Sequence, residues 1–254
     1  MSFAVSADAY DRFMGRYSAP LAPQLADFAS VRRGQRAFDV GCGPGALTGE
    51  LAARLGAEMV AAVDPAEGFV AAARERHPGV DVRPAAAEEL PFADAEFDVA
   101  LAQLVVHFMA DPVAGLREMA RVTRPGGVVA ASVWDFAGDR GPISLFWTAA
   151  RQLDPRVEDE SGLAGARQGH LGELFRAAGL GDVCETELPV LVEHASFDEW
   201  WEPFTFGVGP AGEYAAGLDD TRREALRERC RQLAPEPFTL QAVAWAARGQ
   251  PSPA

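Results

Sequence analysis

The chain has 254 residues, of which 48% are hydrophobic and 24% charged, a composition typical of a compact globular protein with one sizeable core. Its 37 acidic residues outnumber its 23 basic ones, all of which are arginine, and the formal net charge is −14. A nucleic-acid partner is not expected, because binding phosphates requires a basic face. No apolar run approaches the roughly 18 residues of a membrane span, and the first residues lack a signal-peptide pattern, so we expect a cytoplasmic protein with no membrane span.

The distribution of cysteines and acidic residues excludes further classes. Cys42, Cys184 and Cys230 form no close pair, which argues against a disulfide framework and against a zinc site, and we expect no metal. Twelve acidic residues against three arginines lie in residues 154–202, a local excess that more often marks a solvated face than a docking site.

The first predicted element is aromatic and amphipathic. Within residues 8–28, Tyr10, Phe13, Met14 and Tyr17 are spaced three or four apart, which predicts one or two helices. From residue 38 to about 134, short β-rich runs then alternate with helical segments, as in βαβ units of a mostly parallel sheet. The predicted strands are 37–40, 59–63, 80–83, 97–101 and 128–134, the predicted helices are 47–55, 67–76 and 113–123, and residues 124–127 form a turn.

The remaining elements follow with a different pattern. We predict a helix over 143–153, an acidic loop over 154–165, a helix over 170–178, an edge strand over 183–192 that tolerates Pro189, a helix over 221–233, a strand over 238–247 and a tail over 249–254. The fold class is therefore α/β, a Rossmann-like, doubly wound, mostly parallel seven-stranded sheet with helices on both faces. We predict one domain, with N-terminal helices in residues 1–33, a cofactor-binding core in 34–135 and substrate-side elements in 136–254. A helical cover, residues 197–233, is inserted before the last strand and is expected to decide substrate choice.

The strongest local motif is the glycine-rich segment FDVGCGPG between the first strand and the first core helix. Glycines at such a turn permit positive φ and let a ligand approach the backbone. Gly41, Gly43 and Ala46 also fit the G-x-G-x-x-A dinucleotide fingerprint, so this motif alone leaves the ligand open. Asp39, two residues before the first glycine, favours a ligand with an ammonium group over a pyrophosphate. Two downstream motifs, FDVA and RVTRPGG, favour the same interpretation.

Together these segments resemble the class I S-adenosylmethionine-dependent methyltransferases, and within them the small-molecule branch that includes ubiquinone and menaquinone biosynthesis enzymes. The matching segments are FDVGCGPG, VAAVDPAEGFVAAAR, AAAEELPFADAEFDVALAQ and REMARVTRPGG, which cover roughly residues 34–134 in order. The resemblance implies S-adenosyl-L-methionine as cofactor and methyl transfer to an O, N or C nucleophile of a small molecule.

The resemblance also implies which residues hold the cofactor. Asp64 would accept hydrogen bonds from the ribose hydroxyls, because a carboxylate offers two oxygens. The usual adenine-binding Asp is replaced by Ala86, so Ala87 or Glu88 would supply that contact. The full set of implied cofactor-binding residues is Asp39, Gly41, Cys42, Gly43, Gly45, Asp64, Pro65, Ala87, Glu88 and Gln103.

Substrate residues are expected just after the fourth strand and in the aromatic segments. His107 is the candidate catalytic base. With an ordinary imidazole pKa of about 6.5 it would be protonated below that pH, and the rate of methyl transfer would fall. The structural alternative is that His107 only shapes the pocket. The candidate substrate-binding residues are Phe13, Tyr17, His107, Trp200, Trp201 and Phe204, and packing of these aromatics in the core is an equal alternative for all but His107. His77 is interpreted as a partner of a helix C-terminus, and His170 and His194 are given no role.

Two other functions remain open at this point. A non-catalytic regulatory protein that binds S-adenosylmethionine would have the same glycine turn. A nicotinamide-dependent reductase is the less favoured alternative, because the sequence has no lysine for the commonest reductase arrangement. The alanine- and arginine-rich composition is typical of bacteria with GC-rich genomes. The acceptor, the methylated atom and the oligomeric state cannot be derived from the sequence.

Overall fold

The computed structural model describes residues 10–207, 209–235 and 237–251. Its sheet contains seven strands: β1 (Ala37–Val40), β2 (Val60–Asp64), β3 (Asp81–Pro84), β4 (Phe97–Gln103), β5 (Thr123–Trp134), β6 (Leu180–Glu193) and β7 (Thr239–Pro251). Their order is β3-β2-β1-β4-β5-β7-β6. All neighbours are parallel except β7, which runs antiparallel to both β5 and β6.

Nine α-helices lie in the described part of the chain. They are α1 (Arg16–Phe28), α2 (Ala46–Leu55), α3 (Glu67–Arg76), α4 (Pro112–Val122), α5 (Ser144–Leu153), α6 (His170–Ala177), α7 (Phe197–Trp201), α8 (Gly209–Gly217) and α9 (Asp220–Leu233). A π-helical turn, Asp11–Gly15, leads into α1, and 3-10 turns occur at Ala57–Met59, Val106–Phe108, Glu160–Gly162 and Glu202–Phe206. None of the described helices combines the length and the apolar composition needed to cross a membrane.

The predicted doubly wound α/β fold is confirmed. Strands β1 and β2 are buried at every position, as expected for strands covered by helices on both faces. From β1 the chain builds outward through β2 and β3 on one side and from β4 onward on the other. This reversal makes the carboxyl ends of β1 and β4 the place where a crevice forms in such sheets.

Several boundaries differ from the sequence predictions for physical reasons. Residues 124–127, predicted as a turn before a strand, form an irregularity within β5, since Phe97 pairs with Thr123 but Val99 pairs with Val128. Gly127 is required there because a Cβ would lie 2.6 Å from the carbonyl oxygen of Asp98. Gly249, predicted to lie in a tail, pairs with Val129 as part of β7. Residues 8–9 and 252–254 of the predicted first and last segments lie outside the described residues.

The cover contains one helix that the sequence did not predict. Helix α8 has the sequence GPAGEYAAG, whose glycines and single large side chain give no helical pattern. The predicted helix over 221–233 and the aromatic segment over 197–206 are present as α9 and as α7 with its 3-10 extension. The predicted edge strand is β6, and its Pro189 lies on the outer strand of the sheet, where a missing donor is tolerated.

Candidate functional site

The glycine turn between β1 and α2 is held against the end of β2 by backbone hydrogen bonds. Gly41 N and Cys42 N both donate to the carbonyl oxygen of Val63, at 2.8 and 2.9 Å. Gly41 has a φ of +70°, and a Cβ there would lie 2.5 Å from the side chain of Val105. Gly43 has a φ of +53°, and a Cβ there would meet no heavy atom of the described residues within 4 Å, so its open side faces the cleft that it lines. The turn therefore needs glycine at Gly41 for packing and at Gly43 for conformation.

Asp64 is the last residue of β2, and its side chain stabilises this turn by hydrogen bonds. Its carboxylate accepts hydrogen bonds from Gly43 N at 2.9 Å and from Ala66 N at 2.8 Å, one on each oxygen. The side chain is buried, and burial raises the pKa of Asp64, while the two backbone donors act in the opposite direction. Each oxygen still has a lone pair for a ligand hydroxyl.

Asp39, in β1, presents an acceptor without a donor. Its Oδ2 accepts a hydrogen bond from the Thr48 hydroxyl at 2.7 Å, whereas Oδ1 is buried and has no partner among the described residues. Burial raises the pKa of Asp39 to about 7, with the nearby Asp64 carboxylate contributing in the same direction. A buried acceptor of this kind costs free energy until a donor reaches it.

Gln103 supplies a second unsatisfied acceptor in the same cleft. Its Nε2 donates to the carbonyl oxygen of Ser18 at 3.0 Å, which orients the amide, and its Oε1 is buried without a partner in the described chain. Asp39 and Gln103 both line the cleft. A ligand ammonium group, which only donates hydrogen bonds, matches these two acceptors. The residues present therefore fit the methionine end of the cofactor that the sequence resemblance implies.

The cleft at this edge of the sheet has a volume of about 770 Å³, its open side included. The predicted cofactor residues that line it are Asp39, Gly41, Cys42, Gly43, Asp64, Pro65 and Gln103. Gly45 instead begins α2, and a Cβ at this residue would lie 2.6 Å from the His77 ring. His77, the C-cap residue of α3, as the sequence predicts, therefore also lies against the glycine turn.

The predicted adenine contacts at Ala87 and Glu88 are not in the cleft wall. Ala87 is buried, and Glu88 Oε1 accepts a hydrogen bond at 3.2 Å from the backbone N–H of Asp111, the residue that caps α4. Glu88 therefore already has a structural partner. The adenine contact of Ala87 or Glu88 stays a prediction, and the aromatic ring of Phe69, from α3, lines the cleft together with Pro65.

Sequence reasoning also missed the contribution of the N-terminal segment. Tyr10, Asp11, Gly15 and Ser18 all line the cleft. The rings of Tyr10 and Phe69 meet edge to face, with centroids 5.4 Å apart. The three-and-four spacing of aromatics predicts a helix, and its position directly before β1 is the one signal in the sequence that this helix also closes the cleft.

A second, apolar cavity of about 470 Å³ adjoins the cleft. Tyr10, Leu104 and Phe108 line both spaces and mark their junction. The other residues around the cavity are Phe13, Met14, His107, Trp134, Phe136, Ile143, Glu160, Gly209, Pro210 and Ala211. Of the predicted substrate-binding residues, the structure thus brings Phe13 and His107 to this cavity.

The other predicted substrate-binding aromatics lie elsewhere. Tyr17, Trp200 and Phe204 line a smaller space of about 230 Å³, and Trp201 is buried in the aromatic cluster of the cover, 5.8 Å from Phe204 between ring centroids. Phe204 also stacks on Phe146 of α5 at 4.6 Å. These large rings pack mainly on one another, so the cover reaches the apolar cavity through residues 209–211 at the start of α8.

His107 sits in the 3-10 turn that follows β4. It is 8% exposed, and its Nδ1 is buried with no hydrogen-bond partner in the described residues. Burial lowers the pKa of His107 to about 3. The expectation that His107 titrates near 6.5 is therefore wrong, because the surrounding apolar side chains disfavour the imidazolium. The imidazole is neutral across the ordinary pH range.

His194, which has no predicted role, connects the N-terminal helix to the cover. Its ring nitrogens contact Arg16 at 2.7 Å and the Tyr17 hydroxyl at 2.9 Å. Arg16 also forms an ion pair of 2.9 Å with Glu199 of α7. Burial and the Arg16 charge lower the pKa of His194 to about 4, so this group stays neutral. The network joins α1 to α7 of the cover around the smaller space of about 230 Å³.

Comparisons with known proteins agree with this geometry. Residues 38–131 match the family model described as a methyltransferase domain. The malonyl-[acyl-carrier protein] O-methyltransferase of Erwinia billingiae is 34% identical over 128 residues, which are 50% of each chain. The ubiquinone biosynthesis O-methyltransferase of Azorhizobium caulinodans is 42% identical over 112 residues, 42% of this chain and 44% of that protein. The chain thus matches about half the length, or less, of these curated relatives.

The solved structures agree over more of the chain. The YcgJ protein of Bacillus subtilis superposes with a TM-score of 0.60 at 17% identity, over 92% of this chain and 99% of the other, which shows a shared fold. The matched family region contains the glycine turn, Asp39, Asp64, Gln103 and His107. The resemblance seen in the sequence is confirmed: the chain contains a methyltransferase domain, matched over residues 38–131.

Proposed function

We propose that this protein transfers a methyl group from S-adenosylmethionine to a small apolar acceptor. The observation that carries the proposal is the junction between the two spaces, where Tyr10, Leu104 and Phe108 line both the acid-containing cleft and the apolar cavity. A cofactor in the cleft and an acceptor in the cavity would meet there. When bound, S-adenosylmethionine would supply an electrophilic methyl group, which bonds to the nucleophile as S-adenosylhomocysteine leaves.

Most of the rate acceleration would then come from positioning. Asp64 holds the ribose end of the cleft and Asp39 with Gln103 the ammonium end, so both ends of the ligand are fixed relative to β4. Holding two reactants in attack geometry is worth roughly 7–11 kcal/mol in favourable cases. The apolar rings around the cavity exclude water from the acceptor.

His107 is proposed as the residue that accepts a proton when the nucleophile carries one. Its neutral imidazole has an unpartnered Nδ1 in the wall of the cavity. Trp134, in the same wall, has a buried Nε1 with no acceptor among the described residues. A hydroxyl can both donate to an imidazole nitrogen and accept from an indole N–H, so this pair favours an oxygen nucleophile.

A methyl-transfer assay distinguishes this proposal from the non-catalytic alternative. Protein is incubated with methyl-labelled S-adenosylmethionine and a set of apolar phenols, alcohols and amines, and labelled product is extracted. Transfer to at least one compound supports the proposed function. Binding of the cofactor without any labelled product would favour a regulatory binding protein. Binding of NAD in preference would favour the reductase, for which the comparisons give no support.

The proposed setting follows the sequence-based expectations. The composition supports a bacterial source, and the net charge of −14 supports the absence of a nucleic-acid partner. A cytoplasmic location is part of the same proposal. Ubiquinone and menaquinone precursors belong to the acceptors considered, because relatives bear those names.

Replacing Asp64 by Ala is expected to weaken S-adenosylhomocysteine binding by about ten- to a hundredfold, the 1.5–3 kcal/mol typical of hydrogen bonds to a charged group. The substitution also releases the backbone N–H groups of Gly43 and Ala66 from their partner. Isothermal calorimetry measures the change. Asp98→Ala is the matched control, because Asp98 also accepts a backbone N–H, from Arg36 at 2.6 Å, but lies at the opposite edge of the sheet. Equal weakening in both variants would contradict the ribose role.

Binding of S-adenosylhomocysteine is also expected to weaken as the pH falls below about 7. The pKa of Asp39 is raised to about 7 in the ligand-free protein, and a bound ammonium group stabilises the ionised carboxylate. Below that pH the carboxyl must lose a proton on binding, which costs up to about tenfold in affinity per pH unit. Calorimetry between about pH 5.5 and 7.5 measures this slope, and Asp39→Asn should remove it while leaving the ligand's own titration. A slope that persists in Asp39→Asn would contradict the assignment.

A further inference from the structure

Glu160 is a buried carboxyl group that no part of the proposed reaction uses. It lies in the acidic loop that the local excess of charge predicts to be solvated, yet it is only 4% exposed. It also belongs to the wall of the apolar cavity. An acidic side chain is seldom fully buried unless it has a partner.

Among the described residues, only one of the two side-chain oxygens of Glu160 has a hydrogen-bond donor. Glu160 Oε2 accepts a hydrogen bond from Trp147 Nε1 at 2.7 Å. The side chain of Glu160 makes no other hydrogen bond or ion pair among the described residues, so Oε1 has no protein donor there. The guanidinium of Arg151 pairs with Asp159 and Asp139 instead.

The groups around Glu160 also do little to stabilise its ionised form. Burial raises the pKa of Glu160 to about 7, Asp159 acts in the same direction, and the only opposing group is the Trp147 hydrogen bond. The other titratable side chains around the cavity are Tyr10 and His107, both neutral at ordinary pH, and no cationic side chain of the described residues lines it. A buried carboxylate without a cation is strongly disfavoured, and a cationic ligand would remove that penalty.

The position of Glu160 separates it from the reacting end of the cavity. It is not one of the three residues shared with the cofactor cleft. Its partner Trp147 contacts Tyr214 of α8, with ring centroids 5.7 Å apart, which places Glu160 on the side of the cover. A ligand whose nucleophile points toward the cleft would present its opposite end here.

We propose that Glu160 binds a protonated amine carried by the methyl acceptor, on the cover side of the apolar cavity. This inference rests on the proposed function, since it names the substrate class of the same site. The acceptor would then be an apolar molecule with a nucleophilic oxygen near His107 and Trp134 and an ammonium group near Glu160. The carboxylate would accept one hydrogen bond from Trp147 and one from the amine.

The experiment uses three matched probes that differ in one terminal group: 2-phenylethylamine, 2-phenylethanol and phenylacetate. Binding to the full chain, saturated with S-adenosylhomocysteine, is followed by tryptophan fluorescence, because Trp134 lines the cavity. We expect the amine to bind about tenfold or more tightly than the alcohol, and phenylacetate to bind weakest, as a charge-assisted hydrogen bond predicts. Equal binding of amine and alcohol, or no binding of any probe, would overturn the inference.

Two variants separate ligand binding from a structural role. Glu160→Gln retains an oxygen for Trp147 and nearly the same volume, and it should bring the amine and alcohol affinities together. Trp147→Phe removes the structural hydrogen bond and should preserve the preference for the amine. A preference that persists in Glu160→Gln would also overturn the inference. If Glu160→Gln does not fold, the wild-type probe series and Trp147→Phe still decide.

Failure of this inference is distinguishable from failure of the proposed function. Affinity for S-adenosylhomocysteine is measured first on the same protein sample. Absence of that affinity counts against the proposed function itself. Normal cofactor affinity together with no amine preference counts only against the role of Glu160.

Discussion

Substituting His107 by Ala should lower kcat by about 10²–10⁴-fold with an oxygen acceptor, the range typical of a lost general base. The imidazole Nδ1 lies buried in the cavity wall with no partner among the described residues, so a substrate hydroxyl is the group available to it. His107→Gln should also lose activity, because an amide cannot take up the proton. Affinity for S-adenosylhomocysteine should stay unchanged in both variants, since His107 lines the cavity rather than the cleft.

The pH profile adds a separate check on His107. Because the pKa of His107 is about 3, its protonation should produce no loss of kcat between about pH 5 and 8. Protonation of Asp39 should instead lower kcat/KM for the cofactor as the pH falls below about 7. A rise in KM with an unchanged kcat in His107→Ala would show that the imidazole only shapes the pocket.

Substituting Gly43 by Val should abolish measurable cofactor binding while leaving a folded protein. At a φ of +53°, a β-branched side chain is strained, at a cost of about 1–3 kcal/mol, and its added atoms would enter the cleft. The backbone N–H of Gly43, which donates to Asp64, would shift with it.

Gly126→Val is the matched control for that experiment. Gly126 has a φ of +73° and equally open surroundings, but it lies in the irregular part of β5, away from the cleft. Both variants should lose similar thermal stability, and only Gly43→Val should lose S-adenosylhomocysteine binding by calorimetry. Normal binding by Gly43→Val would mean that the turn is purely structural.

The core of the fold was predictable because its signals are local. Strands such as β1 and β2 are mostly apolar and fully buried, and Asp64 ends its strand shortly before a helix, so strand ends and acids could be placed from the sequence. The glycine turn carries its own conformational requirement in its residue types. The carboxyl edge of a parallel sheet then brings these separate segments together without further information.

The substrate side was less predictable because its geometry depends on packing between distant segments. Trp200, Trp201 and Phe204 have the composition of a pocket wall but pack on one another and on Phe146. The weakly patterned start of α8 lines the cavity instead. Composition identifies an apolar cluster, and it does not reveal which face of that cluster remains open.

Burial of single polar residues was the other limit. Glu160 lies in a run of charged residues that predicts a solvated loop, and nothing in its neighbours indicates the hydrogen bond with Trp147. The sequence predicts the location of His107 after β4 correctly. It does not predict the low pKa of His107, because desolvation depends on every side chain packed around the ring. The hydrogen bond of Glu88 was equally hard to predict, since its donor is the backbone N–H of a helix start that is distant in sequence.

A crystal structure of the protein with S-adenosylhomocysteine tests the central claim most directly. We expect the ribose hydroxyls on Asp64 and the ammonium group within hydrogen-bond distance of Asp39 Oδ1 and Gln103 Oε1, two buried acceptors on cleft-lining residues that the described residues leave without donors. The sulfur should lie at the junction formed by Tyr10, Leu104 and Phe108. A ligand whose ammonium group contacts neither Asp39 nor Gln103, or whose sulfur points away from the apolar cavity, would contradict this claim.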